Sequence, residues 1–137
     1  MQTQIRGLAT YTIPKVGVQV SGTWQSNPGP QLAANYVVTN AEAKKTLERD
    51  LSGGAANVTV NLIPAGTYYA PRRNNLDFRV AKILKFGRTR SQVTLDIYNL
   101  TNSSAVQTYN QTYGNAWLTP TDIQPARYVK ANVQFDF

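Results

Sequence analysis

Alternation between apolar and polar residues dominates this chain, and it is clearest at the end. One parity there is held by Val129, Ala131, Val133, Phe135 and Phe137, and largely polar side chains hold the other. Because neighbouring side chains of a strand point to opposite faces, this pattern predicts a strand with one apolar and one polar face. The same alternation predicts five strands in all, over 3–13, 16–26, 73–85, 89–99 and 127–137.

The connections between these strands alternate in length. Two are short, at Pro14-Lys15 and Phe86-Gly87-Arg88, and two are long, over roughly 27–72 and 100–126. A soluble sheet does not require this segregation, whereas outer-membrane barrels combine short periplasmic turns, long extracellular loops and strands of about 9–11 residues. The pattern predicts an all-β fold, in which antiparallel up-and-down strands form an open section of a large transmembrane β-barrel with long extracellular loops.

Local signals add detail to this prediction. Within the first long segment we expect a helix over 41–49 behind an Asn40 cap, and strands over 32–39 and 57–63 that form a ribbon beyond the membrane. Lys82 falls on the apolar parity of its strand, which predicts either a lysine whose head reaches the membrane edge or a small bulge.

Composition narrows the chemistry. The 137 residues include no cysteine and no histidine, which removes the thiol nucleophile, the commonest general base and most zinc ligands. Asp77 and Asp96 alone are a weak basis for a paired-carboxylate hydrolase, because placement in a barrel wall already explains them. We therefore expect no enzyme activity, no catalytic residue, no metal site and no cofactor.

Charge and hydropathy bear on partners. The net charge of +7 raises nucleic acid as a partner, but the basic residues are scattered through strands of period two, so we expect none. No run of about 18 apolar residues is present to form a membrane-spanning helix, and no signal peptide is visible in the chain. The sequence is still compatible with membrane-spanning strands, since only alternate residues of a barrel strand face lipid.

Several short segments follow one another in a specific order and spacing. They are Ser21-Gly22-Thr23-Trp24-Gln25-Ser26 with Pro28-Gly29-Pro30, Leu51-Ser52-Gly53-Gly54, Arg73-Asn74-Asn75-Leu76-Asp77-Phe78-Arg79, Phe86-Gly87-Arg88, Asp96-Ile97-Tyr98-Asn99 with Asn102, Tyr113-Gly114, Trp117 with Pro120, and Phe135-Asp136-Phe137. Over nearly the whole chain they resemble the C-terminal barrel strands of TonB-dependent outer-membrane receptors. The resemblance is to the Oar-like type, which carries an N-terminal carboxypeptidase-regulatory-like domain.

The resemblance implies a place and partners. It implies active uptake of a nutrient of the siderophore, oligosaccharide or peptide class at the bacterial outer membrane. The implied partners are outer-membrane lipid, the barrel-assembly machinery, the remainder of the barrel with its plug, and the TonB complex through an N-terminal part that this chain lacks. Such barrels have about 22 strands, and five cannot close, so residues 1–137 are expected to be a fragment in which Phe137 is a true C-terminus and Met1 is not a true start.

The resemblance also implies roles for particular residues. The barrel-assembly signal would consist of Val129, Ala131, Val133, Phe135 and Phe137. Charged residues expected to face the lumen, paired with each other or with the plug, are Arg6, Asp77, Arg79, Asp96 and Asp136. Because loops on a rigid scaffold carry recognition, the candidate ligand contacts are Arg72, Arg73, Tyr109, Tyr113 and Trp117.

One alternative stays open from the sequence. A soluble, secreted β-sandwich module, a carbohydrate-binding or adhesin domain, would bury the apolar face against a second sheet and use its aromatic loops to bind glycans. Such a module should be monomeric in water without detergent, whereas a barrel section should aggregate or need lipid.

Overall fold

The computed structural model describes residues 2–87 and 89–136, so Arg88 and Phe137 of the expectations above lie outside the described residues. In chain order the elements are β1 (Ile5–Ile13), β2 (Val18–Asn27), β3 (Asn35–Thr39), α1 (Asn40–Leu47), a 3-10 turn (Ser52–Gly54), β4 (Asn57–Asn61), β5 (Arg73–Phe86), β6 (Thr89–Tyr98), β7 (Val106–Tyr109), β8 (Pro120–Ile123) and β9 (Tyr128–Asp136). The prediction of an all-β, antiparallel class is confirmed.

The chain divides into two compact units. The sheet unit comprises Met1–Pro28, Arg72–Ala105 and Gln124–Phe137, and the insert unit comprises Gly29–Pro71 and Val106–Ile123. The sheet unit therefore collects the five alternating segments, and the insert unit collects most of the two long connections between them.

A single five-stranded sheet makes up the ordered part of the sheet unit, in the order β1-β2-β5-β6-β9 with every neighbouring pair antiparallel. These strands begin and end within two residues of the bounds expected from alternation. The sheet does not close within the described residues, because β1 and β9 are its edges.

The first short connection is a tight turn over residues 14–17. Gly17 has a φ of 66°, and a Cβ there would lie 3.0 Å from the carbonyl oxygen of Ile83, whose N–H donates to the Gly17 oxygen at 2.8 Å. Both the positive φ and this close approach favour glycine. The turn is longer than the two residues expected, because Val16 and Gly17 belong to it as well.

Lys82 is accommodated without a bulge. The ladders through it run in unbroken register, from Val18 on one side to Val93 on the other. Its Nζ donates to the carbonyl oxygen of Val16 in the adjacent turn. The bulge explanation is wrong, and the lysine carries its charge from the apolar face to the turn at the sheet end.

The insert unit is more structured than its sequence indicates. β3 pairs with β4 as expected, over shorter ranges, and β7 pairs with β8 in a hairpin that the sequence did not predict. Where the first long segment leaves and returns, the Ala70 N–H donates to the Pro30 oxygen at 2.9 Å. A Cβ on Gly29 would lie 2.0 Å from the Ala70 oxygen, so only glycine fits where these two segments of the chain meet.

The helix α1 begins one residue earlier than expected. Its cap is Thr39, whose hydroxyl accepts from the Glu42 N–H at 3.3 Å while the Glu42 carboxylate accepts from the Thr39 N–H at 2.9 Å. The Asn40 cap was therefore a wrong prediction. Asn40 is the first helical residue, and its side chain donates to Asp50 and accepts from the Leu51 N–H.

The capping box makes the start of α1 sensitive to acid. Hydrogen bonds from the backbone and side chain of Thr39, and then from Tyr36, hold the pKa of Glu42 below its ordinary value of 4.5. A carboxyl group whose pKa is lowered by folding contributes its full stabilisation when the pH is above its pKa in the unfolded state. That stabilisation is lost as the pH falls through the pKa of the folded state. We expect an NMR titration to place Glu42 below 4.5, and Thr39→Ala to move it back up; an unchanged Glu42 in that variant would contradict the box.

Candidate functional site

One face of the sheet unit is apolar, and the register of the strands assembles it row by row. The central row contains Tyr11, Val20, Val80, Leu95 and Ala131, and the rows beside it contain Ala9, Gly22, Phe78, Ile97 and Val129, and Ile13, Val18, Lys82, Val93 and Val133. Side chains in these rows come from all five strands. We call this surface the apolar face.

The apolar face is left uncovered by the described residues. Leu95 is 43% exposed and Val129 is 59% exposed, and Trp24, Val133 and Phe135 are exposed as well. The buried hydrophobic residues of the described chain are Ala34, Ala43, Ala70 and Ala81, of which Ala81 alone belongs to the sheet unit, on the opposite face. The described part of the sheet unit therefore has no apolar core of its own.

The opposite, polar face carries the charged residues expected to line a lumen. In register, Arg79 lies opposite Asp96, which in turn lies opposite Lys130. The guanidinium of Arg79 binds both oxygens of Asp96, through Nε to Oδ1 and through Nη2 to Oδ2 at 3.0 Å. The Asp96 side chain is 7% exposed and that of Arg79 53%, so the pair satisfies an almost buried carboxylate with a two-point contact.

Asp77 does not pair with arginine. Its carboxylate accepts from the Asn75 side chain at 3.0 Å and from the N–H of Asn99 at 2.9 Å. The Asn75 amide oxygen accepts from Gln124 at 2.8 Å, and the buried Asn99 amide donates to the carbonyl oxygens of Ser103 and Pro125. We call these four residues, Asn75, Asp77, Asn99 and Gln124, the amide network; it fastens both ends of the second long connection to the sheet.

The remaining two charged residues share the same face by register. Arg6 lies opposite Gln25, and Asp136 lies opposite Arg90 and accepts from the Gln134 side chain at 3.0 Å. An open cavity of about 330 Å³ lies on this face, and Asp77, Arg79 and Asp96 are among its lining residues. The five residues named from the sequence therefore share the polar face, and their place in a lumen stays a prediction.

The candidate ligand contacts fall into two groups. Arg72 and Arg73 belong to the sheet unit, and Tyr109, Tyr113 and Trp117 belong to the insert unit. Arg72 is engaged internally, since its guanidinium donates to the Ser26 hydroxyl at 3.2 Å, the Ser26 carbonyl at 3.1 Å and the Thr3 carbonyl at 2.8 Å. This bracket across the ends of β1 and β2 gives Arg72 a structural role.

Two of the aromatic candidates meet in the insert unit, together with a third ring that the sequence did not single out. The centroid of the Tyr113 ring lies 6.1 Å from Trp117 and 6.2 Å from Tyr36, in tilted and edge-to-face arrangements. We call Tyr36, Tyr113 and Trp117 the aromatic cluster. Tyr36 was missed because nothing in the sequence indicates that the second long connection reaches β3.

The residues of the expected assembly signal lie on the edge strand β9. Val129, Ala131, Val133 and Phe135 share one face of it and are exposed. Phe137 lies outside the described residues. Recognition of this strand by an assembly machinery stays a prediction.

In residues 2–87 and 89–136, no helix is long and apolar enough to cross a membrane, and no three carboxylates group as metal ligands would. The chain matches no protein-family model, no curated protein and no solved structure. A function is therefore inferred from the geometry of the two faces and of the aromatic cluster.

Proposed function

We propose that this chain is the C-terminal section of a bacterial outer-membrane TonB-dependent receptor, and that it supplies five wall strands and ligand-binding loops to an active nutrient transporter. The observation that carries the proposal is the uncovered apolar face opposite a charged polar face. Water does not stabilise such a face, whereas burying a large apolar side chain contributes about 1.5–3 kcal/mol. Acyl chains are the occupant we assign to it.

Strand lengths support lipid as that occupant. The five strands have 9, 10, 14, 10 and 9 residues, against about 9–11 for a tilted strand that spans a bilayer. On β5 the positions of the apolar parity run from Leu76 to Leu84, which is about 27 Å along the strand at roughly 3.4 Å per residue. At a strand tilt of roughly 35–45° this gives a height of about 19–22 Å, which covers most of the lipid-facing band of about 25 Å in such barrels.

Charge placement agrees with the same assignment. Lys82 is the charged residue on the apolar rows, and its ammonium reaches the turn at the sheet end. Arg79, Asp96 and Lys130 lie mid-strand, but on the polar face. An arginine or lysine on the lipid face costs about 2–4 kcal/mol at the midplane and far less near its edges, so both placements are those a membrane wall requires.

The open edges imply the partners. Unpaired backbone groups cost several kcal/mol each in lipid, so β1 and β9 need further strands beside them, which we assign to the remainder of the barrel. In this assignment the polar face with Arg79 and Asp96 meets the plug, the short turns face the periplasm, and β9 with Phe137 is the strand that the barrel-assembly machinery reads.

The test is the behaviour of the full chain with and without detergent. We expect it to self-associate in detergent-free buffer and to become dispersed when detergent micelles cover the apolar face, as measured by sedimentation velocity. A secreted β-sandwich would instead be monomeric in plain buffer and bind no detergent. A monomer of that kind would contradict the proposal and favour the binding-module alternative.

A further inference from the structure

The two units differ in the kind of aromatic residue they contain. All four phenylalanines fall within the ranges of the sheet unit, while five of the eight tyrosines and Trp117 fall within the insert unit. Tyrosine and tryptophan combine a flat apolar ring with a polar tip, which makes them the preferred residues of binding surfaces. The insert unit therefore has the composition of a recognition surface.

The aromatic cluster is assembled by a specific backbone contact. The Asn35 N–H donates to the Gln111 oxygen at 2.8 Å, and the Tyr113 N–H donates to the Asn35 oxygen at 2.9 Å. This short parallel bridge holds the second long connection against β3. As a result Tyr36, from the first connection, comes to lie beside Tyr113.

Hydrogen bonds hold two of the three rings, and the cluster remains open to solvent. The Trp117 indole N–H donates to the Ala33 oxygen at 2.9 Å, and the Tyr36 hydroxyl donates to the Glu42 carboxylate at 3.2 Å. Tyr113 is 51% exposed and Tyr36 38% exposed. Because Tyr113 contacts both of the held rings, little conformational freedom is lost when its exposed surface stacks on a ligand.

The charges around the cluster limit what it binds. The Glu42 carboxylate is in contact with it, and the hydrogen bond to this carboxylate raises the pKa of the Tyr36 hydroxyl above its ordinary value of 10.0. The basic residues of the insert unit are Lys44, Lys45 and Arg49, on and just after α1, and Lys44 is paired with Asp50 at 3.2 Å. The insert unit holds four acidic residues against these three basic ones, and Lys45 also interacts with Glu42, so the unit offers an anion no net attraction.

We propose that the aromatic cluster binds a neutral oligosaccharide. The C–H face of a pyranose ring packs on an aromatic ring, and its hydroxyl groups donate to carboxylate oxygens such as those of Glu42. The proposal names the substrate class of the transporter. Its statement about transport rests on the proposed function, whereas its statement about binding does not. Of the five ligand contacts expected from the sequence, the proposal keeps Tyr113 and Trp117 and adds Tyr36. It leaves out Arg72, Arg73 and Tyr109.

The experiment uses the full chain in detergent with Trp24→Phe, which leaves Trp117 as the one tryptophan and reporter. The probes are maltohexaose, cellohexaose and chitohexaose as neutral oligosaccharides, with oligogalacturonate as the anionic one. We expect at least one neutral probe to shift the Trp117 emission saturably. Tyr113→Ala should weaken the affinity for that probe by about tenfold through loss of the stacking surface. Tyr113→Phe should bind the probe nearly as tightly as the parent protein does.

Tyr68→Ala is the matched control, because Tyr68 is an exposed tyrosine of the same unit outside the cluster; its affinity should be unchanged. If no neutral probe shifts the emission, or if oligogalacturonate binds more tightly than every neutral probe, the proposal is overturned. Failure of the transporter proposal gives a different result. If the chain is monomeric without detergent and still binds a neutral sugar, the binding proposal for the aromatic cluster stands and the barrel proposal is wrong.

Discussion

Leu95→Arg is expected to abolish most of the binding of this protein to lipid vesicles. Leu95 lies in the central row of the apolar face, opposite Val80 and Ala131. A guanidinium there has no turn within reach, unlike the ammonium of Lys82, so it costs about 2–4 kcal/mol at the midplane of the bilayer. Flotation of the full chain with vesicles should show a fall of at least about tenfold in the bound-to-free ratio.

The matched control is Asn132→Arg, which introduces the same charge on the polar face. Asn132 is exposed and lies one residue from Ala131 on β9, but its side chain points away from the apolar rows. We expect vesicle binding to remain within about twofold of the parent protein. Equal losses in the two variants would mean that charge itself, and not the face it occupies, governs the association.

Asn99→Ala is expected to have the largest effect on the order of the second long connection. The Asn99 side chain is buried, donates to Ser103 at 2.9 Å and Pro125 at 2.8 Å, and accepts from the Ser103 N–H at 2.9 Å. Its φ of 50° is also unfavourable for alanine. Each of these three hydrogen bonds contributes about 0.5–1.5 kcal/mol to stability, so the loss should total about 3 kcal/mol.

Hydrogen exchange read by mass spectrometry measures this loss directly. Protection should fall in peptides that cover 100–105 and 124–127, while peptides of β1 and β2 stay protected. Asn132→Ala removes an exposed asparagine from the same sheet and should change neither region. If Asn99→Ala leaves exchange at 100–105 unaltered, the amide network does not hold the connection.

The sheet was predictable because its signal is local. Alternation needs only the preference of neighbouring side chains for opposite faces, and a shift of one residue would move every apolar side chain to the wrong side. This explains why β5 and β6 begin at Arg73 and Thr89, the first residues of the expected strands. Lys82 looked like a defect of the pattern only because the turn that receives its ammonium lies 66 residues away in sequence.

The insert unit and the pairings of the site were less predictable, because they depend on contacts between distant segments. The β7–β8 hairpin has four-residue strands with an irregular register, too short for alternation to reveal. The cap was placed at Asn40, whereas the structure has it at Thr39, because threonine and asparagine both cap helices and only the backbone geometry decides between neighbours. Asp77 and Asn99 were both singled out in sequence, but only the pairing of β5 with β6 places them in hydrogen-bond contact.

The candidate ligand contacts were likewise predictable only where the signal is local. Tyr113 and Trp117 were identified from their place in a long connection, whereas Tyr36 joins them through the bridge between Asn35 and Thr112. Arg72 was grouped with them because it is a charged residue at the end of a long loop. Its three hydrogen bonds to Ser26 and Thr3 show that a basic residue at such a place also serves to hold strand ends together.

The most direct test of the proposal that the sheet faces lipid is a label scan along β6 in lipid vesicles. The chain has no cysteine, so single cysteines at each of 92–97 carry a spin label without other changes. We predict a period of two, in which labels at 93, 95 and 97 collide with lipid-soluble oxygen and labels at 92, 94 and 96 do not. Equal oxygen collisions at odd and even positions, or odd positions reached best by a water-soluble relaxant, would contradict the account.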